Sequence, residues 1–329
     1  MQGIFRVVLS GAALAAATLV SVNALAQTEK AYPTHAITMV IPYPPGATTD
    51  LLGRMVADGM REELGQSVVV ENRGGASGNI GSAHLAKAAP DGYTIGIGTD
   101  ATHGGSNFFL AAGKAPDPIK EFTPISLAAK NILVLVAHPS FQPNNIQELI
   151  EYAKKNPGKL SFGSSGTGSP HHLAGALLND MAGINMVHVP YKGGGQAVID
   201  VLGGQIPLIF ASLASVDSHI KSGKLKVLGV TEKTRYPGLP DVPAIGETVK
   251  GFDMESWLAI FAPANTPRAV VDKVNAAVVK TLGTAKVRDK LNSMGLLVVG
   301  SSAGEMASMQ AAYVKSSGAL IKSQGIKAE

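Results

Sequence analysis

The 329-residue chain contains no cysteine. That excludes disulfides, thiol nucleophiles, Cys-ligated zinc and iron–sulfur clusters together. Charge of either sign is thin: 28 Lys+Arg against 24 Asp+Glu leave a formal net charge of +4. Arg6 is the only charged side chain in the first 27 residues, so the remainder carries 27 basic and 24 acidic groups, a net +3. That balance is too dilute for a nucleic-acid footprint, and no tight Lys/Arg cluster with interleaved aromatics occurs. Past the N-terminus no run approaches the ~18 continuous apolar residues needed to span a bilayer. Catalytic motifs are missing too. There is no G-x-x-x-x-G-K-[ST], and Gly74-Gly75-Ala76-Ser77-Gly78 lacks the G-x-G-x-x-G spacing of a dinucleotide site. The segment Gly163-Ser164-Ser165-Gly166-Thr167 departs from the G-x-S-x-G nucleophile elbow at its fifth position. His171 and His172 are adjacent, so on a helix their side chains diverge by about 100° and do not chelate one ion. One is expected buried and hydrogen-bonded, the other exposed. Neither an enzyme, a metal nor a cofactor is expected; a secreted serine hydrolase using Ser164 or Ser165 is the remaining catalytic alternative.

What is present is turn-rich and packed: 38 Gly and 19 Pro accompany 45 % hydrophobic residues. Roughly 300 residues suffice for two domains with separate cores. Residues 1–26 read as a secretory signal peptide, with Arg6 before an apolar stretch and Ala24-Leu25-Ala26 as a small-x-small cleavage pattern. A soluble periplasmic product is expected. The remainder alternates strand-like and helix-like segments, which predicts an α/β fold. Strands are expected at 37–41, 68–71, 94–99, 132–137, 160–163, 186–190, 206–210 and 225–230. A helix follows Thr49 with Leu52, Val56 and Met60 on one face and Gly65 as its stop. A second spans 170–181 with Ser169 as N-cap and Pro170 at N1, and a third covers 196–202. Thr266-Pro267 predicts an N-cap/N1 pair for a C-terminal helix. The Pro/Gly-rich stretch 236–251 reads as a surface connection.

Two loops share one design. Pro44-Pro45-Gly46-Ala47-Thr48-Thr49-Asp50 and Ser164-Ser165-Gly166-Thr167-Gly168-Ser169 each join a strand to a helix. Small residues let a ligand approach the backbone, hydroxyls can donate, and the helix's first-turn amides add partial positive charge. A carboxylate suits that combination. Asp50 is expected to be structural, with the ligand facing main-chain amides. Thr99 and Asp100 end one strand, Phe210 and Ser212 another, and Tyr191 with Lys192 lies on a third loop. Tyr191 reads equally as a packed residue or a ligand contact, and Phe210 as cleft wall or core.

Read together, these motifs fall in a known order. Tyr32-Pro33, Pro44-Pro45-Gly46 with Asp50, Val69-Val70-Glu71-Asn72-Arg73, Pro90-Asp91-Gly92-Tyr93-Thr94 and Pro157-Gly158-Lys159-Leu160 are followed by the loop at 163–169 with His172-Leu173-Ala174-Gly175. His188-Val189-Pro190-Tyr191-Lys192-Gly193, Gly203-Gly204-Gln205, Leu239-Pro240-Asp241-Val242-Pro243 and Ala262-Pro263 complete the series. The chain resembles the periplasmic solute-binding receptors of tripartite tricarboxylate transporters, the Bug family, over essentially all of its length past the leader. The resemblance implies a two-domain type II periplasmic binding fold, a Venus-flytrap, with domain 1 at 27–130 and 250–329 and domain 2 at 131–249. It implies a monomer that binds a small carboxylate by hinge closure and delivers it to membrane subunits, or presents it to a membrane signalling protein. In the family the Pro-Pro-Gly and Ser/Gly loops clamp one carboxylate, which maps onto Pro45, Gly46, Ala47, Thr48 and Asp50 and onto Ser164, Ser165, Gly166, Thr167, Gly168 and Ser169. Ala47 stands where the family usually has a second glycine, and the stretch 99–109 is less typical. Trp257, Phe108, Phe109 and Phe210 leave room for an aromatic acid such as terephthalate beside small dicarboxylates.

Overall fold

The computed structural model describes residues 32–105, 108 and 115–326; the expected leader at 1–26 lies outside them, as does Phe109. Residues 32–35 precede the main unit and include a cis Tyr32-Pro33 peptide bond. In the main unit the β-branched run forms β1 (Ile37–Ile41), and a turn leads into α1 (Thr48–Leu64). Gly65 ends α1 in the left-handed conformation, φ +66°, its N–H donating to Arg61 O. There follow β2 (Val68–Asn72), a short 3-10 turn Ala76–Gly78, α2 (Asn79–Ala86), β3 (Thr94–Thr99) and a single π turn Ala101–Gly105. Then come β4 (Phe122–Asn131), β5 (Leu133–Ala137), α3 (Ile146–Lys155), β6 (Ser161–Ser164), α4 (Pro170–Ala182) and β7 (Val187–Pro190). Next are α5 (Gly194–Leu202), β8 (Leu208–Ser212), α6 (Leu213–Lys221), β9 (Lys226–Val230) and α7 (Ile245–Thr248). The chain finishes with β10 (Trp257–Pro263), α8 (Arg268–Gly283), α9 (Ala285–Ser293), β11 (Leu296–Val298) and α10 (Ala303–Ser323).

The strands make two sheets. The first runs β11-β4-β10-β3-β1-β2, with β1 parallel to β2 and β3, and β10 antiparallel to both β3 and β4. The second runs β7-β6-β8-β5-β9, with β6 parallel to β7 and β8 and with β5 antiparallel to β8 and β9. The central strand β10 buries all seven of its residues. At about 1.5–3 kcal/mol per buried large apolar side chain, it is the hydrophobic spine of the first sheet. Neither β4 nor β10 is visible in the sequence pattern. Pro124 argues against a strand, but the β4–β10 register steps from Ser126↔Ile260 to Pro124↔Phe261, leaving Ile125 as a bulge that accommodates the proline.

The chain passes from the first sheet to the second at Ile132 and returns between Val230 and Trp257. The two crossings are laced together: Asn131 N donates to Ser256 O at 2.8 Å, Met254 N to Thr231 O at 3.0 Å, and the Thr231 hydroxyl to Met254 O at 2.8 Å. Beside them the Lys130 ammonium meets Glu255, with Glu232 Oε2 at 3.7 Å and Asp253 close by. Burial pushes the Glu232 carboxyl up to about 7, against the pull of Lys130.

Two expectations are corrected. Thr266 does not cap α8; its hydroxyl turns back to Pro263 O at 2.8 Å, and Pro267 is the N-cap. The stretch 236–251 is not wholly superficial. Ala244 and Ile245 are fully buried because Val230 N donates to Pro243 O, which draws this segment against β9.

Candidate functional site

A cavity of about 760 Å³ opens where the carboxyl ends of β1 and β3 in one sheet meet those of β6, β7 and β8 in the other. Ligands of open α/β sheets sit at such strand ends, because loops there bring helix N-termini together. Of the residues expected to form a site, the lining includes Thr48, Thr99, Asp100, Ser165, Gly166, Thr167, Gly168, Ser169, Tyr191 and Ser212. It does not include Pro45, Gly46, Ala47, Asp50, Ser164 or Phe210. Phe210 is a core residue, packed edge-to-face on Phe162 at 5.7 Å between centroids.

The first loop is shaped from behind. Asp50 is buried and accepts hydrogen bonds from Gly46 N at 2.9 Å, Arg54 Nε at 3.0 Å and Asn72 Nδ2 at 2.8 Å. Burial raises its carboxyl, but these donors outweigh that and hold it at about 2. Asp50 is therefore a brace, as its place in the first turn suggested. Gly46 alone needs the left-handed region, φ +83°, whereas Ala47 is extended at φ −65°, so the alanine costs no strain here. Ala47 is also the N-cap of α1 and has no side chain to cap with. The α1 amides at Thr48, Thr49 and Asp50 therefore lack a side-chain cap, with the helix dipole behind them. An Asp50→Ala variant should lose about 1–3 kcal/mol of stability, less than a fully buried ion pair because Arg54 is half exposed. A carboxyl held low in the fold stabilises above its unfolded value, so the wild type should lose this contribution as pH falls from about 4 to about 2 and the variant should not. Urea melts at pH 6 and pH 2.5 check both statements.

The second loop is more closed than its composition implies. Gly166 N donates to Ser164 Oγ, Gly168 N to His172 Nδ1, and Ser169 N to Gly166 O. The Ser169 hydroxyl caps α4 by accepting from His172 N. These main-chain donors are spent inside the loop, which corrects the expectation that they face a ligand. The reason lies in three imidazoles beneath the loop. Ser164 Oγ lies 2.6 Å from His188 Nε2, Ser165 Oγ lies 2.7 Å from His171 Nδ1, and His172 stacks on His188 at 3.7 Å. His171 and His172 are both buried, so the expectation that one is exposed fails. Burial pushes both down to about 4, which keeps them neutral. The Ser165–His171 pair makes no triad. The far nitrogen of His171 faces the Ser212 hydroxyl at 3.4 Å, with no carboxylate to orient it.

The remaining wall comes from β3, β4 and β10. Thr49 of α1, Asn79 of α2, Asn131 of β4 and Trp257 of β10 join the lining, with Tyr43, Ala76, Lys192 and Ser256 from the segments beside them. Asn131 Nδ2 ties Ser212 to Ser256 across the crossing. Tyr191 lines the cavity, but its hydroxyl donates to Asp200 Oδ2 at 2.7 Å. Burial and Asp200 push that phenol up to about 12. Among the described residues, Asp100 is the only carboxyl and Lys192 the only ammonium in the lining. Burial pushes Asp100 up to about 7, opposed by Ser256 and the main-chain amides around it. Four buried polar atoms of the lining have no hydrogen-bond partner: Thr49 Oγ1, Asn79 Oδ1, Asp100 Oδ2 and Trp257 Nε1. All four are closed off within the wall, so they are a cost the fold carries.

Residues 52–326 match the family model of the tripartite tricarboxylate transporter family receptor, TctC. The chain belongs to that family. A relative from the tcbD–tcbE intergenic region of Pseudomonas sp. (strain P51) is 39 % identical over 297 residues, covering 90 % of this chain and 87 % of the relative. An R. palustris protein solved with adipate is 34 % identical, with TM-score 0.76 over 90 % of this chain and 99 % of its own. MatC from Rhodopseudomonas palustris, solved with bound malate, is 29 % identical, with TM-score 0.72 over 88 % and 100 %. The fold is thus that of the two-lobe solute-binding receptors, and the family is one of binding proteins, not enzymes. Among the described residues no helix is long and apolar enough to cross a membrane.

Proposed function

We propose that the chain is an extracytoplasmic receptor that captures a small dicarboxylate between its lobes and delivers it to the membrane subunits of a tripartite tricarboxylate-type transporter. In this reading residues 1–26 address it to the periplasm, where it acts as a soluble monomer. Residues 27–130 and 250–329 form one lobe, 131–249 the other, and the laced crossings act as the hinge. The observation that carries the reading is the cavity shared by strand ends of both sheets, with the side-chain-uncapped first turn of α1 on one side and the hydroxyl-rich loop of Ser165, Thr167 and Ser169 on the other. One carboxylate docks on the α1 amides by charge-assisted hydrogen bonds, and Lys192 supplies the cation for the second. Relatives solved with adipate and malate support aliphatic diacids. A flat diacid such as terephthalate ranks below them, since of the described aromatics expected for that purpose Phe108 and Phe210 contribute no wall and Trp257 does.

Thermal melts against succinate, malate, adipate and terephthalate test this. A fitting acid at about a hundredfold its Kd adds about 2.7 kcal/mol, a rise of about 4 °C for a chain of this size. Scattering should show compaction with the same acid. No shift and no compaction across the panel would overturn the reading, as would turnover of any acid. Co-purification with membrane subunits separates delivery from signalling.

A further inference from the structure

Ser212 stands at the N-cap of α6, yet its hydroxyl caps nothing. Serine is favoured at that position because its oxygen accepts from the helix's first amides. Here the side chain, half-buried in the cavity wall, is turned to other partners. Its Oγ accepts from Asn131 Nδ2 at 2.9 Å and lies 3.4 Å from His171 Nε2. At the other end of that imidazole, Nδ1 lies 2.7 Å from the hydroxyl of Ser165, which also lines the cavity. One buried ring thus joins two cavity hydroxyls, one beyond the end of β6 and one at the end of β8.

Burial holds His171 neutral, down at about 4, so the ring carries one N–H and one bare nitrogen. Where that proton sits fixes both hydroxyls. Hydroxyl donors make bonds of about 2.7–2.8 Å, and N–H donors bonds of about 2.9–3.0 Å. The short Ser165 contact therefore has the hydroxyl donating to a bare Nδ1, with the ring proton on Nε2. Ser212 Oγ then accepts from Asn131 on one side and from His171 on the other. Its lone pairs are taken, and its own O–H is left to donate into the cavity.

We propose that His171 is a positioning residue of the receptor, whose Nε2–H, together with Asn131, aims the Ser212 hydroxyl as a donor at a ligand carboxylate. The inference rests on the carboxylate-receptor reading and assigns one of its donors. Ser212 rather than Ser165 is the donating hydroxyl of this pair, because Ser165 spends its proton on His171. A donor whose direction is set before the acid arrives has less freedom to lose on binding than a free rotor.

Nitrogen-15 spectra of histidine-labelled wild type, with the His171 signals assigned by their loss in His171→Gln, test the tautomer directly. Nε2 should be protonated and Nδ1 bare at pH 7; a proton on Nδ1 would overturn the proposal. Calorimetry with succinate, malate and adipate then reads the effect on binding. For the acid that binds the wild type best, Ser212→Ala should weaken binding at least about tenfold, the loss of one hydrogen bond to a charged group. His171→Asn keeps an acceptor for Ser165 but has no N–H at the far end, whereas His171→Gln keeps that N–H. The asparagine variant should bind at least about threefold more weakly than the glutamine one. In a Ser212→Ala background the two should be equal. Binding by Ser212→Ala as tight as the wild type's would overturn the proposal, as would equal affinities of the two His171 variants in the presence of Ser212. If no acid binds the wild type, it is the receptor reading that falls, and the spectra still report the tautomer.

Discussion

An Asp100→Asn variant is expected to be more stable than the wild type above pH 7 and indistinguishable from it below pH 4. The Asp100 carboxyl is buried, one of its oxygens has no partner, and its neutral form is favoured up to about 7. The sign follows from linkage. A carboxyl raised in the fold binds its proton more tightly there than in the unfolded chain, so stability falls as pH rises from about 4 to about 7 and stays low above. Asparagine has nearly the same shape and no charge to desolvate, so it removes that loss. Three pH units of displacement correspond to on the order of 4 kcal/mol at pH 8, an upper limit because water entering the cavity screens part of it. Glu232 is also raised and keeps its own slope in both proteins, so the difference between variant and wild type is the quantity to read. Urea denaturation at pH 4, 6 and 8 gives it. Equal stability at all three would show that ionised Asp100 is already satisfied in the folded chain.

Truncating Trp257 to alanine is expected to cost about 3–5 kcal/mol. The side chain is 1 % exposed, meets Tyr313 edge-to-face at 5.7 Å and Phe261 at 6.3 Å, and opens the fully buried run of β10. Removing it leaves a void that joins the ligand cavity. Trp257→Phe should cost far less than the alanine change, because the lost indole N–H has no partner to leave behind. Denaturant midpoints compare the two. Acid binding should weaken in the alanine variant and survive in the phenylalanine one if the ring acts as wall; an N–H aimed at the ligand would make both fail alike.

The sequence disclosed these elements unevenly, and the reasons are physical. Segments ending in chemically marked turns were legible: Gly65 closes α1, Ser169-Pro170 opens α4, and β1, β3 and β9 alternate with helical periodicity. What was hidden lies in the middle of the first sheet. β10 is apolar throughout and shows no period, and β4 is interrupted by Pro124, whose cost the bulge at Ile125 absorbs. The site divides the same way. Small residues and hydroxyls marked the two loops, so Thr48 and residues 165–169 could be placed at a cleft. Whether an amide faces a ligand or its own loop depends on His171, His172 and His188, which meet only after folding. Asn79, Ser256 and Trp257 come from segments distant in sequence, and nothing in their local pattern marks them as neighbours of Asp100.

The order of the strands also sets a schedule for assembly. Every strand of the second sheet lies between residues 133 and 230, whereas the first sheet stays open until β10 slides between β3 and β4. As the chain is synthesised N-terminus first, the later-numbered half of the cleft can harden while the earlier one still waits for its middle strand. Protease protection of chains cut at residue 250 and at residue 270 should differ chiefly in the segment 37–131.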